Sequence, residues 1–244
     1  MEYFLISLLG LAMGIVTSIS GGSGVFAVPA MLAFGLPPLN VLALNRMSDV
    51  GVVTGALRKY QKSENIDWSL ALRAMIPMSI GSAIGASFVV SIPEHILTYV
   101  IFSGIFIGIF FLLRKPSPVS ALHRPSASWW GFFFLFLVGI WGGALAIAGA
   151  TFAVLVLVNF FGKSYLQARA TDVAAAIPET FISSAILTTA STVQPGLLFV
   201  MFASSFVGAW IGSHLAVRHG SAFIRRAMVG VAMVMIVKVF FDLI

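Results

Sequence analysis

Two arginine–aspartate pairs share one spacing: Arg46 with Asp49, and Arg169 with Asp172, each three residues apart in otherwise apolar sequence. Residues three apart lie on one face of a helix, so each pair can neutralise itself. Glu179, directly after Pro178, lies in the same apolar segment as Asp172. An ionisable side chain inside a membrane helix faces the protein interior or a water-filled path, which makes it a functional candidate. Arg46 is the candidate anion partner, because its guanidinium stays charged and its planar donors suit an oxyanion. Asp49, Asp172 and Glu179 are the candidates for ion coupling, to protons or sodium, as access alternates. Arg169 is shallower. Snorkelling to the interface competes there with a part as a second anion contact.

The other candidates are backbone. Ser20-Gly21-Gly22-Ser23-Gly24 interrupts an apolar run, and three glycines in five residues favour a break in the helix. The apolar stretch that follows, 25–34, covers only about 15 Å at helical rise, half of a hydrocarbon core about 30 Å thick. It is expected to return toward the face it came from, as a re-entrant hairpin closed by Gly35-Leu36-Pro37-Pro38. A second short segment, 151–161, follows Ala148-Gly149-Ala150. If the two hairpins enter from opposite sides, their tips meet near the midplane and both half-helices present N-termini to an anion. The substrate-binding set is therefore Ser20, Gly21, Gly22, Ser23, Gly24, Arg46, Gly149, Ala150 and Thr151, with the hydroxyls of Ser20, Ser23 and Thr151 as further donors. The competing explanation is close helix packing, for which Gly142 and Gly143 are also suited.

The elements that must hold these residues are membrane helices. The 244 residues are 59% hydrophobic and 9% charged, with a mean hydropathy of +1.05, which excludes a soluble globular domain. Apolar segments run over 3–19, 40–59, 68–90 and 95–113, then over 129–147, 165–188, 196–217 and 222–243. Net charge is +6, but the basic residues sit in short loops, where they set orientation, so no nucleic-acid partner is expected. Without cysteine there are no disulfides or thiolate metal sites, and no metal or cofactor is called for. The start at Met1-Glu2 lacks a basic n-region, so the first apolar segment is expected to stay in the protein.

The chain reads as a duplication. Gly22 and Gly149, Gly35 and Gly162, Gly81 and Gly208, and Gly85 and Gly212 are each 127 residues apart, so one ungapped offset is expected to align the halves. Residues 1–113 form the first repeat, 114–128 a cytoplasmic linker rich in proline and serine, and 129–244 the second repeat. With three full spans and one hairpin per half, the second repeat is inverted. The basic loops containing Lys59, Arg114, Lys163 and Arg225 then all lie on the cytoplasmic side, with both termini outside. The predicted fold is thus an all-α polytopic membrane protein built from two inverted-topology repeats.

Gly21-Gly22-Ser23-Gly24 also fits the pattern of an intramembrane serine protease, with His214 as a distant base. A lone hydrolytic centre does not need two like hairpins, however, and a transporter fits the duplication better than an enzyme. Asn45, Asn159, Thr54 and Thr180 are assigned to bonding within and between helices, and Trp68, Trp129 and Trp130 to the interfaces. Trp141 is assigned to packing near the second tip.

The glycine-serine tip with its short helix, Gly35-Leu36-Pro37-Pro38, Asn65-Ile66-Asp67-Trp68 and the helix bearing Gly81 and Gly85 together resemble the TauE/SafE family of sulfite and organosulfur anion exporters. The second half departs from that pattern at Ala148-Gly149-Ala150 and at Val193-Gln194-Pro195. The resemblance implies a multi-pass exporter of a small sulfur-containing anion in the bacterial inner membrane, driven by an ion gradient. A channel with the same site is the alternative.

Overall fold

A computed structural model describes residues 2–113 and 129–242, with side-chain environments given outside 108–128 and 231–244. The expected linker at 114–128 lies outside the described residues. Every regular element among those described is helical: α1 (Glu2–Ser20), α2 (Gly24–Ala33), α3 (Pro38–Lys62), α4 (Trp68–Val90), α5 (Glu94–Leu113), α6 (Trp129–Leu145), α7 (Gly149–Phe161), α8 (Tyr165–Ala190) and α9 (Pro195–Asp242). α9 is two helices meeting at Gly220, whose φ of 72° interrupts the helical path. Four of the described helices, α1, α4, α8 and α9, are long and apolar enough to cross a membrane. α3 has the length, 25 residues, but carries several charges.

α4 shows how the sequence makes a helix inside out. Leu72, Ile76, Ile80, Ile84 and Phe88 recur every fourth residue and are all exposed, forming an apolar ridge suited to lipid. The opposite face is small. A Cβ at Gly81 or Gly85 would overlap the backbone of Phe136 or Ile140 in α6. In the other half, Gly208 and Gly212 of α9 press in the same way against Leu11 and Ile15 of α1. Small residues thus let α4 pack on α6 and α9 on α1.

The equivalent helices differ in register at the tips. α3 and α8 begin 127 residues apart, as do α4 and α9, but α2 begins at Gly24 and α7 at Gly149, 125 apart. By start position the half-helices are therefore two residues off the 127 spacing, while Gly21 and Ala148, and Gly35 and Gly162, all with positive φ, keep it. α7 makes up the difference with 13 residues against the 10 of α2. The Arg-x-x-Asp pairs are displaced further, because Arg169 lies one turn nearer the start of its helix than Arg46 does.

Two apolar clusters enclose a polar layer. On α3, Val41 to Leu44 belong to one cluster and Val52, Val53 and Ala56 to the other, with Arg46, Ser48 and Asp49 between them. α8 repeats this with Val173 to Ala176 and Leu187 on either side of Glu179 and Thr180.

Candidate functional site

The two broken helices meet. Gly21 has a φ of 80°, and a Cβ there would lie 2.7 Å from the Thr151 nitrogen. At Gly24 a Cβ would lie 2.6 Å from the Ala146 oxygen. Glycine at these two positions is what allows one tip to lie on the other. Thr151 Oγ1 donates to the Ser20 oxygen at 2.9 Å, and Asn45 Nδ2 to the Ala146 oxygen, also at 2.9 Å. Neither half-helix has a capping side chain: Ser23 makes no such bond to α2, and Ala148 before α7 makes none. The second tip achieves its turn without glycine at two positions, since Ala146 and Ala148 hold φ of 53° and 56°.

Between the tips and the polar layer is a cavity of about 30 Å³. Gly21, Gly24, Gly149 and Ala150 line it, together with Arg46, Asp49, Arg169, Asp172 and Glu179. Of the candidates read from sequence, the structure therefore brings both arginines, all three carboxyls and four tip residues to one space. The others brace it. Ser20 Oγ donates to the Val16 oxygen, and Ser23 pairs with Thr17 Oγ1. Thr151 is engaged with Ser20 as above. These three hydroxyls and Gly22 are not among the lining residues.

The two arginines sit in different surroundings. Arg169 is 1% exposed, so it does not snorkel. Its Nη1 pairs with Asp172, its Nη2 donates to the Thr17 oxygen at 2.8 Å, and its Nε donates to the Ser18 oxygen at 3.2 Å. Those carbonyls end α1 inside the protein, where a helix terminus needs donors. Tyr60 adds a hydroxyl to the Ser18 oxygen at 2.7 Å. Arg46, 3% exposed, donates from Nη1 to Asp49 at 3.1 Å and has Glu179 Oε1 at 3.8 Å from the same nitrogen. Its Nε and Nη2 have no hydrogen-bond partner, nor do Glu179 Oε2 and Asp172 Oδ1. A buried guanidinium edge with unused donors, lining a cavity, is suited to an oxyanion that can accept two parallel bonds.

Gly142 and Gly143 play different parts. A Cβ on Gly143 would overlap the Ser82 backbone, so this glycine serves packing. On Gly142 it would meet side chains instead, Arg46 Nη2 at 3.1 Å and Glu179 Oε1 at 3.8 Å. Gly142 is thus a wall of the site that sequence had assigned to packing, and adjacent glycines give no signal of which one faces a cavity. The Thr17 carbonyl and the Tyr60 hydroxyl also gave no sequence signal, because their partners, Arg169 and the Ser18 oxygen, lie in other helices. Trp141 donates to the Ile147 oxygen at 2.7 Å and braces the second tip. Thr54, Thr180 and Asn159 bond to carbonyls of their own helices. Ser23 has Thr17 as its bonding partner, and His214 Nδ1 is engaged with the Trp210 oxygen on its own helix, which gives no nucleophile–base pair. Among the described residues no group is positioned to hold a metal ion.

Apolar helices with lipid-facing ridges, enclosing a charged layer and two broken helices, define a multi-pass membrane protein. The family profile described as sulfite exporter TauE/SafE matches residues 6–239, and the chain belongs to this family. It is 28% identical over 234 residues to the probable membrane transporter protein YfcA of Escherichia coli K12, covering 94% of this chain and 86% of that one. It is 24% identical over 239 residues to a probable membrane transporter protein of Haemophilus influenzae, covering 96% and 92%. No solved structure matches it significantly.

Proposed function

We propose that the protein is a secondary transporter that exports a small sulfur-containing anion, such as sulfite or an organosulfonate, across the bacterial inner membrane, driven by an ion gradient. The observation that carries this is the open Nε and Nη2 edge of Arg46, buried between two broken helices. The half-helix N-termini add partial positive charge on the other side of the same space. Sulfur chemistry enters from the family description.

Two contacts support inverted repeats with hairpins that turn back. Lys163, after α7, pairs with Asp67, before α4, at 2.6 Å. Asn40, at the start of α3, bonds Thr192, after α8. If each short helix continued across the membrane, both pairs would need partners on opposite faces. The basic loops favour the cytoplasm for the Asp67–Lys163 end.

The cavity has room for about one or two waters, so an anion must load by separation of the tips. This favours a carrier over a channel. Counterflow of a labelled sulfonate or sulfite in proteoliposomes tests the proposal. Stimulation by unlabelled anion on the opposite side is the expected result, and conduction without such stimulation would favour the channel.

A further inference from the structure

We infer that a proton loads together with the anion, because the anion takes Arg46 from Glu179. This rests on the oxyanion site proposed above. The cavity is lined by two guanidiniums, Arg46 and Arg169, and three carboxyls, Asp49, Asp172 and Glu179. Arg169 is matched with Asp172, and Arg46 with Asp49. Glu179 has no arginine of its own. It shares Nη1 of Arg46 across 3.8 Å, and its Oε2 is unpartnered.

With all five groups ionised the site carries one net negative charge, which opposes entry of a second anion in a place where water cannot screen it. An oxyanion on Nε and Nη2 therefore competes with Glu179 for the same guanidinium. The carboxylate that loses is left as an uncompensated buried charge, which is strongly unfavourable. Transfer of one proton from bulk water to a Glu179 carboxylate oxygen removes that charge and restores the original total. Of the elements around Glu179, α3 offers Arg46 and Asp49, while α8 itself offers Arg169 and Asp172. α4 and α6 present only Met78, Ser82, Val138 and Gly142. No lysine or histidine is among the cavity-lining residues to supply the balance.

When the anion leaves, Glu179 loses the proton and returns to Arg46, so the empty and loaded sites carry the same net charge. Anion and proton then travel in the same direction. Flow follows the sum of their two gradients, so the ion gradient of the proposal above drives export only where the proton gradient points outward; against an inward proton gradient, export runs on a larger outward gradient of the anion itself.

The test uses the purified full chain in detergent and methanesulfonate, an anion that carries no titratable proton. Calorimetric titration in two buffers of different ionisation heat should show about one proton taken up per anion bound, the ratio that linkage to one site requires. Glu179→Gln should still bind methanesulfonate, with no proton uptake. Arg46→Lys should bind it at least about tenfold more weakly. Binding in the wild-type protein without proton uptake, or with an obligatory sodium ion in its place, overturns the inference and leaves the oxyanion site standing. Absence of any methanesulfonate or sulfate binding that depends on Arg46 overturns the site and the inference together. The proton count is read on the unaltered protein, so it stands even if Glu179→Gln fails to fold.

Discussion

The two Arg-x-x-Asp pairs are alike in sequence and different in use. Arg169 lies one turn nearer the start of α8, which brings its guanidinium to the end of α1, where it donates to the Thr17 and Ser18 carbonyls. Arg46 lies beside Gly142 near the end of α6 and donates to no carbonyl there, while just past that helix Asn45 takes the Ala146 oxygen and Trp141 the Ile147 oxygen. Arg46 caps no backbone: its Nε and Nη2 have no partner, and the residue lines the cavity. Two motifs of the same spacing thus differ in use: one arginine braces the end of α1, and the other keeps donors without partners beside the cavity. The tips differ similarly. The first turns through Gly21, whereas the second forces Ala146 and Ala148 into the left-handed region.

The same substitution at both arginines separates these tasks. Arg169→Lys removes the planar fork that reaches Asp172 and two carbonyls, and bonds of this charged kind are worth about 1.5–3 kcal/mol each. A loss of about 2–4 kcal/mol is expected as a lower unfolding temperature in detergent, with anion affinity unchanged in the protein that remains folded. Arg46→Lys keeps the charge that balances Asp49 and Glu179, so unfolding should move little. Sulfonate affinity should fall at least about tenfold, or about 1.4 kcal/mol. Equal effects of the two substitutions on stability and binding would dissolve the contrast.

Adjacent glycines give a second comparison. Gly143→Ala drives a methyl into the Ser82 backbone and should destabilise by about 1–3 kcal/mol. Gly142→Ala meets the movable end of Arg46, so the fold should survive, with larger sulfonates losing more affinity than smaller ones. A uniform loss across a size series would remove Gly142 from the site. At the second tip, Ala148→Gly relieves a left-handed alanine and should raise stability by about 1 kcal/mol, measured by thermal unfolding.

The smallest effect lies where the α3–α4 loop meets the α7–α8 loop. The hydrogen bond from Lys163 holds the Asp67 carboxyl below the usual carboxylate range. A group more acidic folded than unfolded stabilises above its unfolded pKa, about 3.9, and loses that contribution as pH falls through the folded value. Both side chains are partly exposed, so the effect is under about 1 kcal/mol. Asp67→Asn keeps the cap on Leu70 and should lower stability at neutral pH by that amount, converging with the parent in acid.

The sequence alone determined the all-helical membrane class, the place of both breaks and the residues able to carry charge at depth. These follow from hydropathy, glycine spacing and the high energy of burying an ion, all properties of short stretches of chain. Only the tertiary structure decided how Arg46 differs from Arg169, that Gly142 is a wall and Gly143 a packing surface, and that three tip hydroxyls are used as braces. It also revealed that the two short helices start 125 residues apart, where α3 and α8 start 127 apart. Each of these depends on which donors and carbonyls from distant helices are already paired. A hydrogen bond between α8 and α1, some 150 residues apart, leaves no trace in the local pattern of either helix.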